Sequence, residues 1–180
     1  MKLPRTSTVL CLAALLAALT PMLFPLQAYA QGRDYITEKE ADRVREAQAI
    51  DRRVAVFVKI VERRILALTD PSAANSKQAQ KDAENWGELR TGTRAELLSD
   101  IAKILDAAIT NIDEASKRAP QNPLPVKALR KLAESSTQLL TTLTTLRSTT
   151  ADEAAREALE QAMDNARTIT QAANELPTDK

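Results

Sequence analysis

The sequence predicts an all-α protein: an antiparallel four-helix bundle, with room for one short fifth helix, that follows a cleaved signal peptide. Apolar residues recur at steps of three and four in four segments, which places them on one face of a helix in each segment. A threonine followed three residues later by a glutamate, the pattern of a capping box, opens three of these segments. Prolines stand at the breaks between segments. Agreement among independent signals favours this fold.

Residues 1–30 have the pattern of a secretory signal peptide. Lys2 and Arg5 supply the positive start, an apolar run follows them, and Ala28 and Ala30 are the small residues that precede a cleavage site. We expect cleavage after Ala30 and export to a periplasm or the extracellular space.

Two alternatives to cleavage stay open. An uncleaved anchor could extend from Val9 to Leu26, although Pro21 and Pro25 interrupt it and its length barely reaches the roughly 20 residues of a spanning helix. A lipid could be attached at Cys11, although the residue before this cysteine is Leu10 and not the small residue that such sites use.

Composition restricts the chemistry of the remaining chain, 31–180, which we expect to form one helical-bundle domain with no membrane span. Without the signal peptide it has 23 basic and 24 acidic residues, a net charge of −1, so no overall field attracts nucleic acid. The chain has no histidine, the commonest general base and transition-metal ligand, and its only cysteine is Cys11. We therefore predict no catalytic residues, no cofactor and no metal-ligand set.

The first helix is predicted over 37–69. Thr37 and Glu40 form the capping box that opens it, and Pro71 follows its end. The β-branched residues of 54–60 also alternate as in a strand, but no other segment offers such a strand a partner. The apolar stripe of the helix consists of Ala47, Ile50, Val54, Phe57, Val61, Ile65 and Leu68.

An irregular linker, 70–92, is predicted after this helix, and Ala79, Ala83 and Trp86 can form one short amphipathic helix within it. The second helix is predicted over 93–118, opened by a capping box of Thr93 and Glu96. Its apolar face consists of Leu97, Ile101, Ile104, Leu105, Ala108, Ile112 and Ala115.

The third helix is predicted over 125–147, with the spacing of a coiled-coil heptad. Its seam consists of Leu129, Leu132, Ser136, Leu139, Leu143 and Leu146. The fourth helix is predicted over 150–176, with Thr150 and Glu153 as the third capping box. Its seam is mostly alanine: Ala155, Ala158, Ala162, Ala166, Ile169, Ala173 and Leu176.

Acidic residues on the first two helices are candidates for a cation site. Glu62, Glu96, Asp100 and Asp106 could bind a hard cation through oxygen alone, because the ferritin type of di-metal site needs histidine. Acidic side chains on helices are more often solvated.

Opposite charges also distinguish the first two helices. Residues 51–64 carry a net charge of +3 and residues 94–114 a net charge of −3. These charges could pair across the surface of two packed helices, or Arg52, Lys59 and Arg63 could receive an anionic partner.

The apolar arc of the first helix is unusually wide, because Val56 and Ile60 lie beside its main stripe. Either two bundle neighbours cover this arc, or it is a surface for a partner or a second copy. The predicted interaction surface consists of Arg52, Val56, Lys59, Ile60 and Arg63.

The segments 51–64 and 96–113 resemble an uncharacterised family of exported all-helical bacterial proteins. The resemblance implies export and an all-α fold, and it brings neither an activity nor site residues.

The function predicted from these observations is that of an exported, non-enzymatic bundle that acts through protein contacts. One alternative is a cation-binding or carboxylate-dependent enzyme bundle that uses Glu62, Asp100 and Asp106. The other is a carrier that holds a small apolar ligand between its helices.

Overall fold

A computed structural model describes residues 34–176, so the predicted signal peptide, 1–30, lies outside the described residues. Within 34–176 the chain forms six α-helices and one 3₁₀ helix and has no β-strand, which confirms the all-α prediction. The helices are α1 (Glu38–Glu46), α2 (Ile50–Thr69), α3 (Lys77–Trp86), α4 (Arg94–Arg118), α5 (Leu124–Arg147) and α6 (Glu153–Asn174). The 3₁₀ helix, Pro71–Asn75, connects α2 to α3.

The single helix predicted over 37–69 is wrong, because the chain leaves the helical conformation at Ala47 and α2 begins only at Ile50. In one continuous helix, residues 40 and 64 would lie about 36 Å apart at 1.5 Å per residue. Instead, the side chains of Glu40 and Arg64 form an ion pair at 2.6 Å, so α1 folds back along α2. The break contains no glycine or proline, and this long-range ion pair is its physical reason.

The capping boxes predicted at Thr37 and Thr93 are present, with the threonine side chain and the glutamate side chain each accepting from a backbone N–H. The third predicted box is wrong. The side chain of Asp152 caps α6 by accepting from the Ala155 N–H, while the hydroxyl of Thr150 donates to the Leu146 carbonyl. A carboxylate two residues later in the chain is the better acceptor for the first turn.

The predicted short helix in the linker corresponds to α3, which Ser76 caps at its start and Gly87 ends. Gly87 has φ 75° and ψ 175°, a conformation that is almost restricted to glycine.

The four long helices build the core. α2 packs against both α4 and α5, α6 packs against the same two helices, and α4 and α6 share the most extensive contact. Ala155, Ala162 and Ala166 are fully buried, and such small side chains allow α6 to lie close to its neighbours. Ile60 is fully buried as well and belongs to the core, whereas Val56, the other residue of the wide arc of α2, is partly exposed.

None of the helices described in 34–176 combines the length and the apolar character that crossing a membrane requires.

Candidate functional site

A cluster of buried charges joins α1, α2, α4 and the segment that follows α3. It consists of Glu40, Arg63, Arg64, Arg90 and Asp100, and we call it the arginine cluster. Glu40 and Arg64 are fully buried, and Arg63 and Asp100 are at most 5% exposed. Three cations face two anions here, so the cluster carries a net charge of +1.

Arg64 is the centre of the arginine cluster. Two of its guanidinium nitrogens donate to the two carboxylate oxygens of Glu40, at 2.9 and 2.6 Å, which is the bidentate geometry of a strong ion pair. One of these nitrogens also donates to the Tyr35 carbonyl at 3.1 Å. On its other side, Arg64 Nε lies 3.4 Å from Asp100 Oδ2. A single side chain on α2 therefore holds both α1 and α4.

The other two arginines tie the segment after α3 to the same centre. Arg63 donates to the carbonyls of Gly87 and Glu88, at 2.8 and 2.9 Å, and its Nε lies 3.5 Å from Glu40 Oε1. Arg90 Nε lies 3.0 Å from Asp100 Oδ2, and Arg90 also donates to a backbone carbonyl near the start of the described chain. Each carboxylate thus has two arginines beside it.

The pKa of Glu40 shows how these partners act on the carboxyl group. Burial disfavours the charged form and by itself raises the pKa. The hydrogen bonds from Arg64 and from the Thr37 backbone, together with the charges of Arg64 and Arg63, more than offset burial, so the pKa of Glu40 lies below its usual value. A carboxylate held ionised in this way is a structural anion and a poor proton donor.

A second feature is a cleft of about 310 Å³ between α2 and α5, which we call the α2–α5 cleft. Clefts of this size, mainly apolar with a few polar groups, are typical of small-molecule sites. Its apolar lining consists of Val58, Val61, Ile65, Leu66, Leu105, Leu132 and Leu139. Its polar lining consists of Glu62, Thr69, Ser135, Ser136, Gln138 and Thr142.

Ser136 is the unusual member of this lining. Its side chain is 1% exposed, and its hydroxyl has no hydrogen-bond partner among the described residues. Buried polar groups nearly always have a partner, so an exception requires an explanation. The sequence places Ser136 in an otherwise leucine seam, and that is the signal from which this site could have been found.

A second cleft, of about 470 Å³, lies on the other side of α2 and is lined by residues of the 3₁₀ helix and α3. Glu62 and Leu66 line both clefts. Leu66 is 41% exposed, one of two large apolar side chains that are exposed within 34–176. It forms an apolar ridge between the clefts.

The structure divides the predicted interaction surface. Arg52 is exposed, and Val56 and Lys59 are partly exposed. Ile60 and Arg63 are buried, so they cannot belong to a surface in this structure. Ile60 is part of the hydrophobic core, and the guanidinium of Arg63 donates to two backbone carbonyls and lies beside Glu40.

The residues predicted as candidates for a cation site differ in their exposure to solvent. Glu62, Glu96 and Asp106 are exposed, whereas Asp100 is buried against Arg64 and Arg90. Over residues 34–176 no group of three or more acidic side chains is placed to hold a metal ion.

In the part of the chain that the structure describes, the opposite charges of the first two predicted helices do not pair at the surface as we expected. The pair that joins them is Arg64 with Asp100, and it lies in the interior and not at the surface. Arg53 reaches α4 through a neutral partner, donating to the Asn111 side chain at 3.0 Å.

Comparison of the chain with protein-family models, with curated proteins and with solved structures gave no significant match. The resemblance of 51–64 and 96–113 to exported helical proteins therefore stays a prediction.

Proposed function

We propose that this protein is an exported, non-enzymatic binding protein: a four-helix bundle that holds a small apolar ligand in the α2–α5 cleft. The observation that carries the proposal is the cleft itself, an apolar space of about 310 Å³ that has the buried hydroxyl of Ser136 in its wall. Helical bundles commonly place ligand sites between facing helices.

Helix connections support opposite directions for consecutive long helices. Five residues connect α4 to α5, and five connect α5 to α6, and connections this short are typical of helices that reverse direction. By the same argument α4 and α6, which share the most extensive contact, run parallel, and the hydrogen bonds from Arg94 to Thr149 and Thr150 support this because they bring the starts of these two helices together. The sequence pattern of 1–30 supports export to a periplasm or the extracellular space. The composition supports a non-enzymatic role, because the chain has no histidine and its one cysteine lies within 1–30.

An apolar fluorescent probe tests the proposal. Protein produced from the full sequence is titrated with 1-aminonaphthalene, a probe small enough for the cleft, whose emission shifts to shorter wavelength in an apolar site. We expect saturable binding to the wild type and at least a tenfold loss of affinity in Thr142→Trp, because a larger side chain at this half-buried position fills the cleft. Thr141→Trp is the matched control, since Thr141 is exposed and does not line the cleft. Equal binding by all three proteins would remove the cleft as the site.

A second candidate function, contact with a protein partner or with a second copy, is favoured by the ridge at Leu66. Exposed apolar side chains between two concave surfaces are common in protein interfaces. Light scattering compares the wild type with Leu66→Asp; self-association predicts a dimer that the substitution converts to a monomer. A monomeric wild type would refute self-association.

A further inference from the structure

We infer that the ligand of the α2–α5 cleft is an uncharged amphiphile, an apolar chain that ends in a hydroxyl or a similar neutral head. This inference rests on the proposed function and adds the chemical class of the ligand. The argument uses the size of the cleft, the position of Ser136 and the charges of the lining.

Cleft size limits the length of the apolar chain. A water molecule takes up about 30 Å³ in the liquid, so about 310 Å³ has room for roughly ten non-hydrogen atoms. The apolar residues of the lining come from α2, α4 and α5, so a chain in the cleft contacts three helices. A medium-length alkyl chain or a small substituted ring therefore fits.

Ser136 determines what the ligand head offers. A serine hydroxyl can donate one hydrogen bond and accept others. The hydroxyl of Ser136 has no partner among the described residues and lies behind the surface of the cleft, so a ligand head reaches it once neighbouring side chains shift. A donor or an acceptor on that head then relieves the cost of burying the hydroxyl. A pure hydrocarbon also fills the cleft, but it leaves the Ser136 hydroxyl buried without a hydrogen bond.

The charges of the residues that line the cleft disfavour a ligand with an anionic head. The described lining contains neither lysine nor arginine, and its one charged residue is Glu62. A carboxylate buried beside Ser136 would have no cation to compensate its loss of hydration, and Glu62 would repel it. Glu62 is exposed and lies 3.6 Å from Lys59, so its charge is partly compensated and attracts a cationic head only weakly.

The experiment compares three ligands of similar size as competitors of 1-aminonaphthalene on protein from the full sequence: 1-octanol, octanoate and propylbenzene. At pH 8, where octanoate is ionised, we expect 1-octanol to displace the probe at a concentration at least tenfold below that of octanoate. In Ser136→Ala we expect the affinity for 1-octanol to fall about fivefold, the effect of one hydrogen bond, and that for propylbenzene to stay unchanged. Ser116→Ala, a half-buried serine outside the cleft, is the control.

The outcomes separate the inference from the proposed function. Equal competition by octanoate and 1-octanol, or unchanged 1-octanol affinity in Ser136→Ala, would overturn the neutral head and leave the cleft as an apolar site. If the probe does not bind in the cleft and none of the three ligands shifts the melting temperature, the proposed function itself fails.

Discussion

Replacing Glu40 with glutamine tests whether the arginine cluster holds the fold together. Glutamine keeps the shape of the side chain and an oxygen acceptor, but it removes the negative charge that faces Arg64 and Arg63. Asp100 then remains beside Arg64 and Arg90, whereas Arg63 loses the carboxylate beside it. Hydrogen bonding survives in part, so the substitution mainly removes the charge compensation.

The expected cost follows from burial. Glu40 and Arg64 are both fully buried, and removing one partner of a buried pair typically costs about 3–5 kcal/mol because the other charge stays uncompensated. For a chain of this size we expect the melting temperature to fall by roughly 10 °C. Urea unfolding at pH 7, followed by circular dichroism at 222 nm, gives the free energy of unfolding directly.

The same pair predicts a pH dependence. The pKa of Glu40 is lowered in the folded state from an ordinary value of 4.5, so the unfolded state binds the proton more tightly. Stabilisation by the Glu40 charge is therefore complete above pH 4.5, and it is lost as the pH falls through the lower folded pKa. The difference in stability between the wild type and Glu40→Gln should shrink below this pH.

Glu38→Gln is the matched control, because Glu38 is an exposed acid in the same first turn of α1. A double variant, Glu40→Leu with Arg64→Leu, leaves Arg63, Arg90 and Asp100, so the net charge of the cluster stays at +1 as in the wild type. It should be less destabilised than Glu40→Gln, in which the net charge of the cluster rises to +2. If Glu40→Gln costs no more than Glu38→Gln, the reasoning about the cluster is refuted.

Two further substitutions test the backbone and the helix packing. Gly87→Ala should lower the free energy of unfolding in urea by about 1–3 kcal/mol because alanine is strained at φ 75°. Steric contact adds little, since the added Cβ would lie at an ordinary 3.5 Å from Lys39. Gly92 has no positive φ, so Gly92→Ala is the control and should change the stability little. Ala162→Leu should cost about 1–3 kcal/mol by overpacking a fully buried position on α6, whereas Ala154→Leu on the exposed face should leave the melting temperature nearly unchanged. An unchanged stability of Gly87→Ala or of Ala162→Leu would contradict the described geometry.

Local patterns predicted the helices well because their causes are local. The capping boxes at Thr37 and Thr93 need only residues three apart, and the prolines that follow α2 and α4 disfavour the helical conformation of the residue before them. The break at 47–49 could not be predicted in this way, because Ala47, Gln48 and Ala49 carry no turn signal. Its cause is the ion pair of Glu40 with Arg64, which are 24 residues apart.

The candidate site was predictable only in part, because burial of a charge depends on distant partners. The default expectation for Glu40, Asp100 and Arg64 is a solvated side chain. No pattern in the sequence indicates that these residues meet in the interior. Ser136 is different, because a serine in a leucine seam is visible in the sequence, although its lack of a partner is not.

The arginine cluster and the α2–α5 cleft are connected through the rotation of α2. Successive residues of a helix point about 100° apart, so turning α2 by one residue would carry Arg64 away from Glu40 and Asp100. The same turn would move Val61 and Ile65 out of the wall that they share with α5. Since the cluster is buried and charged, it tolerates no such turn at low cost. The charges of α2 thus hold the apolar wall of the cleft in position, so the arginine cluster fixes the helix that also lines the proposed ligand site.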